Sequence, residues 1–434
     1  MSARTTALSV LIACRRQNAW SDGAFKEYAA RDRLDARDAA FAARLCYGVM
    51  QNRLLLDFYI ESRLSGPIQK LQPIVLDILR LGAYQLFFMD KVPASAAVNE
   101  AVEQGKKYAN KRAAGLINGV LRSLERNREQ LPEPPDLSVR YSHPAELVDL
   151  LRENVGEERL EAVLKADNES PRTQLQINPL LADEASVLAE LERLGIENEP
   201  HPWLPGCRLV SGTGSLEGLE LFRSGKVYVQ DAAAQLAARA AGVTPGMRVL
   251  DCCAAPGGKS FAAAMQMENR GEIVSCDLHA HKTALIEKGA ARLGISIITP
   301  MQADATVSRP DWNGQFDTVI ADVPCSGLGV IRKKPDIRYK DLAPLAELPR
   351  IQLRILDTVS AYVKPGGVLL YSTCTVLKRE NEDVIASFLR THPEFSPESF
   401  PAPAPLSAAG GMLTFYPGEL ETDGFFIAKL RKAP

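Results

Sequence analysis

The sequence predicts three folded parts: an all-helical N-terminal segment, a small α+β module, and a C-terminal α/β domain built on a mixed seven-stranded sheet. Three observations predict this. Up to about residue 130, apolar residues recur at three- and four-residue spacing, the period of a helix with one buried face. A Pro-rich stretch, Leu131-Pro-Glu-Pro-Pro-Asp136, then interrupts the chain. From Val243 onward, short apolar runs alternate with helical patterns, which argues for parallel strands covered on both faces.

The bounds are those of an ordinary globular protein. With 434 residues, 46% hydrophobic and 24% charged, the chain can bury two or three cores. No apolar run approaches the roughly 18 to 20 residues of a membrane span. The first sixteen residues read as an amphipathic helix rather than a signal peptide, so a cytoplasmic protein is expected; a monomer with no membrane partner is expected as well. Eight cysteines show neither a disulfide framework nor zinc spacing, so no metal is expected. Cys252, Cys253 and Cys276 fall on or beside apolar strands, where a cysteine is usually a small hydrophobe.

Charge is uneven along the chain. Residues 1–130 carry 20 Lys/Arg against 13 Asp/Glu, and the remainder 31 against 40. That excess points the first segment toward a polyanion. Its last helices, Ala97–Tyr108 and Ala113–Arg126, meet at a junction carrying Lys106, Lys107, Lys111 and Arg112. Such a corner can hold a phosphate backbone without reading sequence. Pro93-Ala-Ser-Ala-Ala-Val-Asn99-Glu100, followed by Ala113-Ala-Gly115-Leu-Ile-Asn118-Gly119, resembles the NusB-type RNA-binding helical domain. RNA binding is what the resemblance implies.

The expected boundaries are a helical domain over 1–130, a linker over 131–139, the small module over 140–235 and the α/β domain over 236–434. In the module, Thr173-Gln174-Leu-Gln-Ile177 alternates polar and apolar residues as a strand does. In the last domain, strands are expected at Arg248–Cys252, Glu272–Cys276, Ser296–Thr299, Phe316–Ala321 and Gly367–Ser372. Helices are expected at Ser260–Met267, His279–Arg292, Pro344–Tyr362 and Glu380–Leu389. Two tail strands, Met412–Tyr416 and Gly424–Leu430, complete the outline of a Rossmann-like methyltransferase sheet.

The first strand runs into Cys253-Ala254-Ala255-Pro256-Gly257-Gly258-Lys259-Ser260 and then a helix. Two glycines let backbone pass close to a ligand, and the helix start offers free N–H groups. A triphosphate loop would need glycine at position 253, where cysteine stands. Acids then close successive strands: Asp251, Asp277 (placed to accept ribose hydroxyls), Asp304 (placed to meet an adenine amino group) and Asp322. The set reads as an adenosine pocket that fits S-adenosylmethionine better than NAD.

Two thiols follow at strand ends, Cys325 in Asp322-Val-Pro-Cys325-Ser-Gly327 and Cys374 in Tyr371-Ser-Thr-Cys374-Thr375. Pyrimidine carbon 5 is a poor nucleophile. A thiolate adding to carbon 6 turns the ring into an enamine whose carbon 5 can attack a methylsulfonium. A carboxyl group such as Asp322 at the ring nitrogen favours that addition, and a base must later remove the carbon 5 proton.

Together the Cys253–Lys259 loop, Asp322–Gly327 and Ser372-Thr-Cys374-Thr375 resemble the NOL/NOP/Sun family of RNA 5-methylcytosine methyltransferases. The resemblance implies that Cys374 is the nucleophile, that Cys325 assists product release, and that Cys253 to Lys259, Asp277, Asp304 and Asp322 contact S-adenosylmethionine. A NusB-like domain ahead of this catalytic domain further implies 16S ribosomal RNA, free or in early assembly, as the substrate. Arg332, Lys333 and Lys334, just after the catalytic loop, are expected to hold phosphates beside a flipped-out or single-stranded target cytosine. Two readings compete: the same chemistry on another rRNA or tRNA site, and an RNA-binding assembly factor without activity.

Overall fold

The computed structural model describes residues 2–17, 20–214 and 216–434. The chain divides into two compact units. One comprises residues 1–153, 157–169 and 331–340, and the other residues 154–156, 170–330 and 341–434.

The first unit is helical. Its helices are α1 (Ala3–Gln17), α2 (Ser21–Arg31), α3 (Ala36–Gln51), α4 (Arg53–Glu61), α5 (Pro73–Phe88), α6 (Ala94–Tyr108) and α7 (Lys111–Arg126). After the Pro-rich stretch come α8 (Leu137–Tyr141), α9 (Ala145–Val155) and α10 (Glu157–Ala166). Local chemistry sets the ends: Asp35 caps α3, Asn110 caps α7 and Asp136 caps α8, each accepting a first-turn N–H. Proline opens α5, where its missing N–H costs nothing. Leu45, Val49, Ile78, Leu79, Ile117 and Leu121 form the core, each worth about 2–3 kcal/mol of burial. Helices α5 and α7 pack so closely that a Cβ on Gly82 would meet the Leu121 side chain at 2.5 Å.

The second unit begins with a four-stranded antiparallel sheet in the order β2-β3-β1-β4: β1 (Thr173–Ile177), β2 (Glu197–Pro200), β3 (Cys207–Ser211) and β4 (Val227–Val229). Helix α11 (Glu184–Arg193) precedes β2, and the short α12 (Glu220–Arg223) precedes β4. The strand expected at Thr173–Ile177 is β1, and both its faces are covered: Gln174 and Gln176 are buried. Their amides are spent inside the protein: Gln176 Nε2 donates to the Gln230 carbonyl at 3.0 Å, and Gln174 bonds to the Glu421 carbonyl and the Ala232 N–H.

Beyond α13 (Ala232–Ala240) lies the larger sheet. Strands β5 (Arg248–Asp251), β6 (Glu272–Asp277), β7 (Ile298–Gln302), β8 (Phe316–Asp322) and β9 (Val363–Thr373) run parallel, connected by α14 (Gly258–Gln266), α15 (Ala280–Arg292) and α16 (Leu348–Ser360). After α17 (Glu382–Thr391), β10 (Phe395–Pro397), β11 (Met412–Phe415) and β12 (Phe425–Lys432) complete it. The order is β10-β12-β9-β8-β5-β6-β7, with β11 also on β12. The sheet is mixed, as expected, but has eight strands. The additional one, β10, is three residues long and is held antiparallel against Lys432–Leu430, too short for a period to show in sequence.

Several expected elements shift at their ends, three of them for a local chemical reason. The third strand runs to Gln302, because Pro300 is tolerated on β7, an edge of the sheet. The helix expected over Pro344–Tyr362 is a 3-10 turn, Ala343–Glu347, followed by α16; each segment carries a proline in its first turn. The helix expected from Glu380 begins at Glu382. Asn381 interrupts it, its amide donating to the Thr375 carbonyl and its oxygen accepting from Thr373 Oγ1.

Candidate active site

The chain order of the parallel strands reverses at β5, whose neighbours are β6 and β8. That switch point opens a crevice at the strands' carboxyl ends, the usual ligand position in such sheets. Cys253–Gly258 turns there into α14. Gly257 has φ of 110°, and a Cβ on it would sit 2.4 Å from the Phe261 ring, so only glycine fits. Lys259, on the first turn of α14, is buried and places Nζ 2.7 Å from Asp322 Oδ2.

The four strand-end acids are not equivalent. Asp251 is fully buried. Its Oδ2 accepts from Ser260 Oγ at 2.7 Å, and Ser275 Oγ donates to Ser260 Oγ at 2.7 Å. Burial pushes its carboxyl up to about 7, against the opposing Ser260 hydrogen bond. Its place is under the loop, which corrects its reading as part of an adenosine pocket. Asp277 ends β6 with Oδ1 accepting the His279 N–H at 3.1 Å, and Lys282 Nζ lies 3.9 Å away. Asp304 is exposed beyond β7; the hydroxyl and N–H of Thr306 hold its carboxyl below the usual range. Asp322 is a third exposed and has one partner on each oxygen, Lys259 and, at 2.7 Å, Ser372 Oγ. A glycine turn with close backbone, flanked by carboxylates at neighbouring strand ends, is chemistry that fits a nucleoside carrying a cationic group.

Strands β8 and β9 are paired neighbours, with Asp322 opposite Ser372. The loops leaving them bring Cys325 Sγ within 3.2 Å of Cys374 Sγ, and the Cys374 N–H lies 3.3 Å from Cys325 Sγ. Both thiols are half-buried. The Cys374 sulfur, then burial, then Glu380 raise Cys325 well above an ordinary thiol.

The structure thus gathers Cys253–Lys259, Asp322, Cys325 and Cys374 around one strand-end crevice, with Asp277 and Asp304 at the ends of β6 and β7. Lys106, Lys107, Lys111 and Arg112 are exposed at the α6–α7 junction, with Lys106 paired to Glu103 at 2.6 Å. Lys333 and Lys334 are exposed, but Arg332 is only 7% exposed, so its side chain is not the solvated cation expected. All three lie on Ile331–Lys340, which belongs to the compact helical unit. Sequence reading missed Glu380, Gln352 and Ser372 because their roles depend on long-range hydrogen bonds. Only Ser372 sat inside a quoted motif. Among the described residues, no group of His, Cys, Asp and Glu could hold a metal ion, and no helix is long and apolar enough to cross a membrane.

A parallel sheet with a glycine turn, strand-end carboxylates and a thiol pair at its switch point is the build of a Rossmann-like methyltransferase. The family model described as "16S rRNA methyltransferase RsmB/F" matches residues 241–431, the NusB family matches 1–126, and the RsmF/B-like ferredoxin-like domain matches 143–214. The "Probable ribosomal RNA small subunit methyltransferase B" of Bacillus subtilis (strain 168) is 38% identical over 99% of both chains. The protein of the same description from Synechocystis is 35% identical over the full length of both. The crystal structure of PH0851 superposes with a TM-score of 0.80 over 98% of each chain, at 26% identity. The chain belongs to the 16S rRNA methyltransferase RsmB/F family.

Proposed function

We propose that this protein methylates carbon 5 of a cytosine in 16S ribosomal RNA, with Cys374 as the nucleophile and S-adenosylmethionine as the donor. The observation that carries the reading is the thiol pair, 3.2 Å apart beside the Lys259–Asp322 ion pair. Family membership and the names of the relatives support rRNA as the substrate.

Cys253–Lys259, Asp277 and Asp304 would hold the donor, which supplies an electrophilic methyl group. Cys374 enters as thiolate and adds to cytosine carbon 6, forming a C–S bond and raising electron density at carbon 5. A carboxyl proton on Asp322, a residue braced by Lys259 and Ser372, would hydrogen-bond the ring nitrogen and offset the negative charge that develops there. Once carbon 5 carries its methyl group, Cys325 acts as the base that accepts the carbon 5 proton, the 5,6 double bond re-forms, and the C–S bond breaks to return Cys374 as thiolate. In taking that proton, Cys325 assists release of the product. The helical unit holds RNA phosphates through Lys106, Lys107, Lys111 and Arg112, with Lys333 and Lys334 adding to the same face-independent charge attraction. The same reading divides the chain into an RNA-binding part over 1–130, a module over 140–235 and the catalytic part over 236–434.

The test uses two variants with rRNA and labelled donor. Cys374→Ala should lower methyl transfer by about 10⁴-fold or more, the scale of losing a covalent nucleophile. Cys325→Ala should accumulate a denaturant-resistant protein–RNA adduct. Retained transfer in the first variant, or no adduct in the second, refutes the covalent mechanism.

A further inference from the structure

The helical unit holds a cavity of about 260 Å³, walled by α1, the α3–α4 junction, α5 and the segment 336–340. That is many times the ~15 Å³ a single water needs. Arg15, Arg53, Arg80 and Lys340 line it, against the carboxylates of Asp77 and Asp336. Those carboxylates are already committed. Asp77 is buried; its Oδ1 accepts from Arg80 Nη1 at 3.2 Å and its Oδ2 from Arg15 Nε at 3.1 Å. Asp57 takes Nε and Nη2 of the same Arg80, both at 2.7 Å. Asp336 Oδ2 accepts the Ser21 N–H at 3.0 Å. Arg53 is left over. Among the described residues, no acid pairs with it and no oxygen accepts its N–H groups; its one contact is the Tyr339 ring, 3.6 Å from the guanidinium. Tyr339 is placed without that contact, because its hydroxyl donates to the Met50 carbonyl at 2.9 Å. Stacking covers a face of the guanidinium and leaves its N–H edge free.

We propose that this cavity is a binding site for one phosphate group, taken by the free edge of Arg53, with the charges of Arg15, Arg80 and Lys340 adding attraction from the wall. A half-buried cation without a counter-charge is costly to keep, and a phosphate brings the negative charge that the committed acids withhold. Two phosphate oxygens can accept in parallel from a planar guanidinium, which a water or a chloride ion cannot do. An anion can enter past Arg15, whose side chain keeps 33% of its surface in solvent. The site shares no residue with the exposed cations at the α6–α7 junction, and it is enclosed where they lie open. The inference goes beyond the methyl-transfer reading and does not rest on it. An RNA phosphodiester and a free phosphate have the chemistry in common.

The experiment titrates the full chain with inorganic phosphate by calorimetry, in chloride at fixed ionic strength. One phosphate per chain should bind, and Arg53→Met should weaken it about tenfold or more. Arg16→Met removes an exposed cation of α1 outside the cavity and should leave the affinity within about twofold. No phosphate binding by the unmutated chain, or equal binding by Arg53→Met, overturns the proposal. Should Arg53→Met fail to fold, Cys14 carries the test in the unmutated chain, because it lines the same cavity. Phosphate should slow its alkylation by iodoacetamide, read on the Cys14 peptide by mass spectrometry; an unchanged rate overturns the site. Fluorescence anisotropy with a 5′-hydroxyl single-stranded RNA then separates the two sources. If RNA supplies the phosphate, Arg53→Met weakens RNA binding alike across sequences and lowers the slope of log affinity against log salt by about one. If RNA affinity and slope are unchanged while inorganic phosphate still requires Arg53, the site stands as one for free phosphate. Neither arm measures methyl transfer, so failure of the catalytic reading and failure of this site are told apart.

Discussion

Arg338 in the helical unit and Asp322 in the α/β unit are both charges drawn away from water, and they are handled in opposite ways. Arg338 is 1% exposed, and its guanidinium donates to the carbonyls of Gln51 at 3.0 Å and Asp167 at 3.1 Å and to Asn168 Oδ1 at 2.9 Å. Its neighbour Tyr339 adds a hydroxyl bond to the Met50 carbonyl at 2.9 Å. Burial pushes the Arg338 pKa down, and neutral acceptors crowd the guanidinium. Asp322 keeps a third of its surface in solvent and has a single partner per oxygen. The lesson is that several buried acceptors gathered on one charge make it structural, whereas partial exposure with few fixed partners leaves it able to meet a ligand.

The largest effect that would break this comparison comes from Arg338→Met. It keeps much of the side-chain volume but leaves several buried carbonyls without a donor, so the helical unit should lose roughly 3–5 kcal/mol. Denaturant unfolding followed by helical signal measures it. A loss below about 1 kcal/mol would mean that Arg338 is as replaceable as a surface charge.

Asp251 sharpens the contrast from inside the catalytic crevice, since it is as buried as Arg338 yet adjacent to chemistry. Its folded pKa of about 7 lies above the ordinary carboxyl value. Folding therefore favours the protonated form. The associated stability is fully present below about pH 4 and is lost as pH rises through 7. Asp251→Asn should flatten that decline, by at most about 4 kcal/mol at roughly 1.4 kcal/mol per pKa unit. Thermal or denaturant unfolding from pH 4 to 8 tests it; an equally steep decline in the variant would place the titration elsewhere.

The smallest effect is expected where charges stay wet. Hydrogen bonding to Arg431, reinforced by Lys429, pulls Glu398 down to about 2. Here the stabilisation is present above about pH 4.5 and is lost as pH falls through 2. Because Glu398 and Arg431 side chains remain 29% and 41% exposed, Glu398→Gln should cost less than about 1 kcal/mol at pH 7 and less still in high salt. Urea titrations at two salt concentrations measure it.

Much of the architecture was legible in the residues. Helical periodicity to residue 130, the proline break and the strand–helix alternation are local patterns, and local patterns survive being read one window at a time. The site was partly legible for the same reason: acids and thiols at strand ends follow from where apolar runs stop. Element ends slipped where proline or a side-chain hydrogen bond intervened, as at Pro300, Pro349 and Asn381. The eighth strand escaped because three residues carry no period.

By itself, then, the sequence determined the fold class, the glycine turn at Gly257, the row of strand-end acids and the presence of two candidate thiols. Tertiary structure alone decided which acid lies buried beneath the loop and which stays open, since Asp251 and Asp322 look alike in the chain. It also decided that Cys325 and Cys374, 49 residues apart, meet at 3.2 Å, that Lys259 belongs to Asp322, and that Glu380 grips the turn between them. The physical reason is range. Hydrophobic period and turn chemistry act over a few residues, whereas the pairing of buried polar groups depends on which strands become neighbours, and strand order is settled only when the sheet closes.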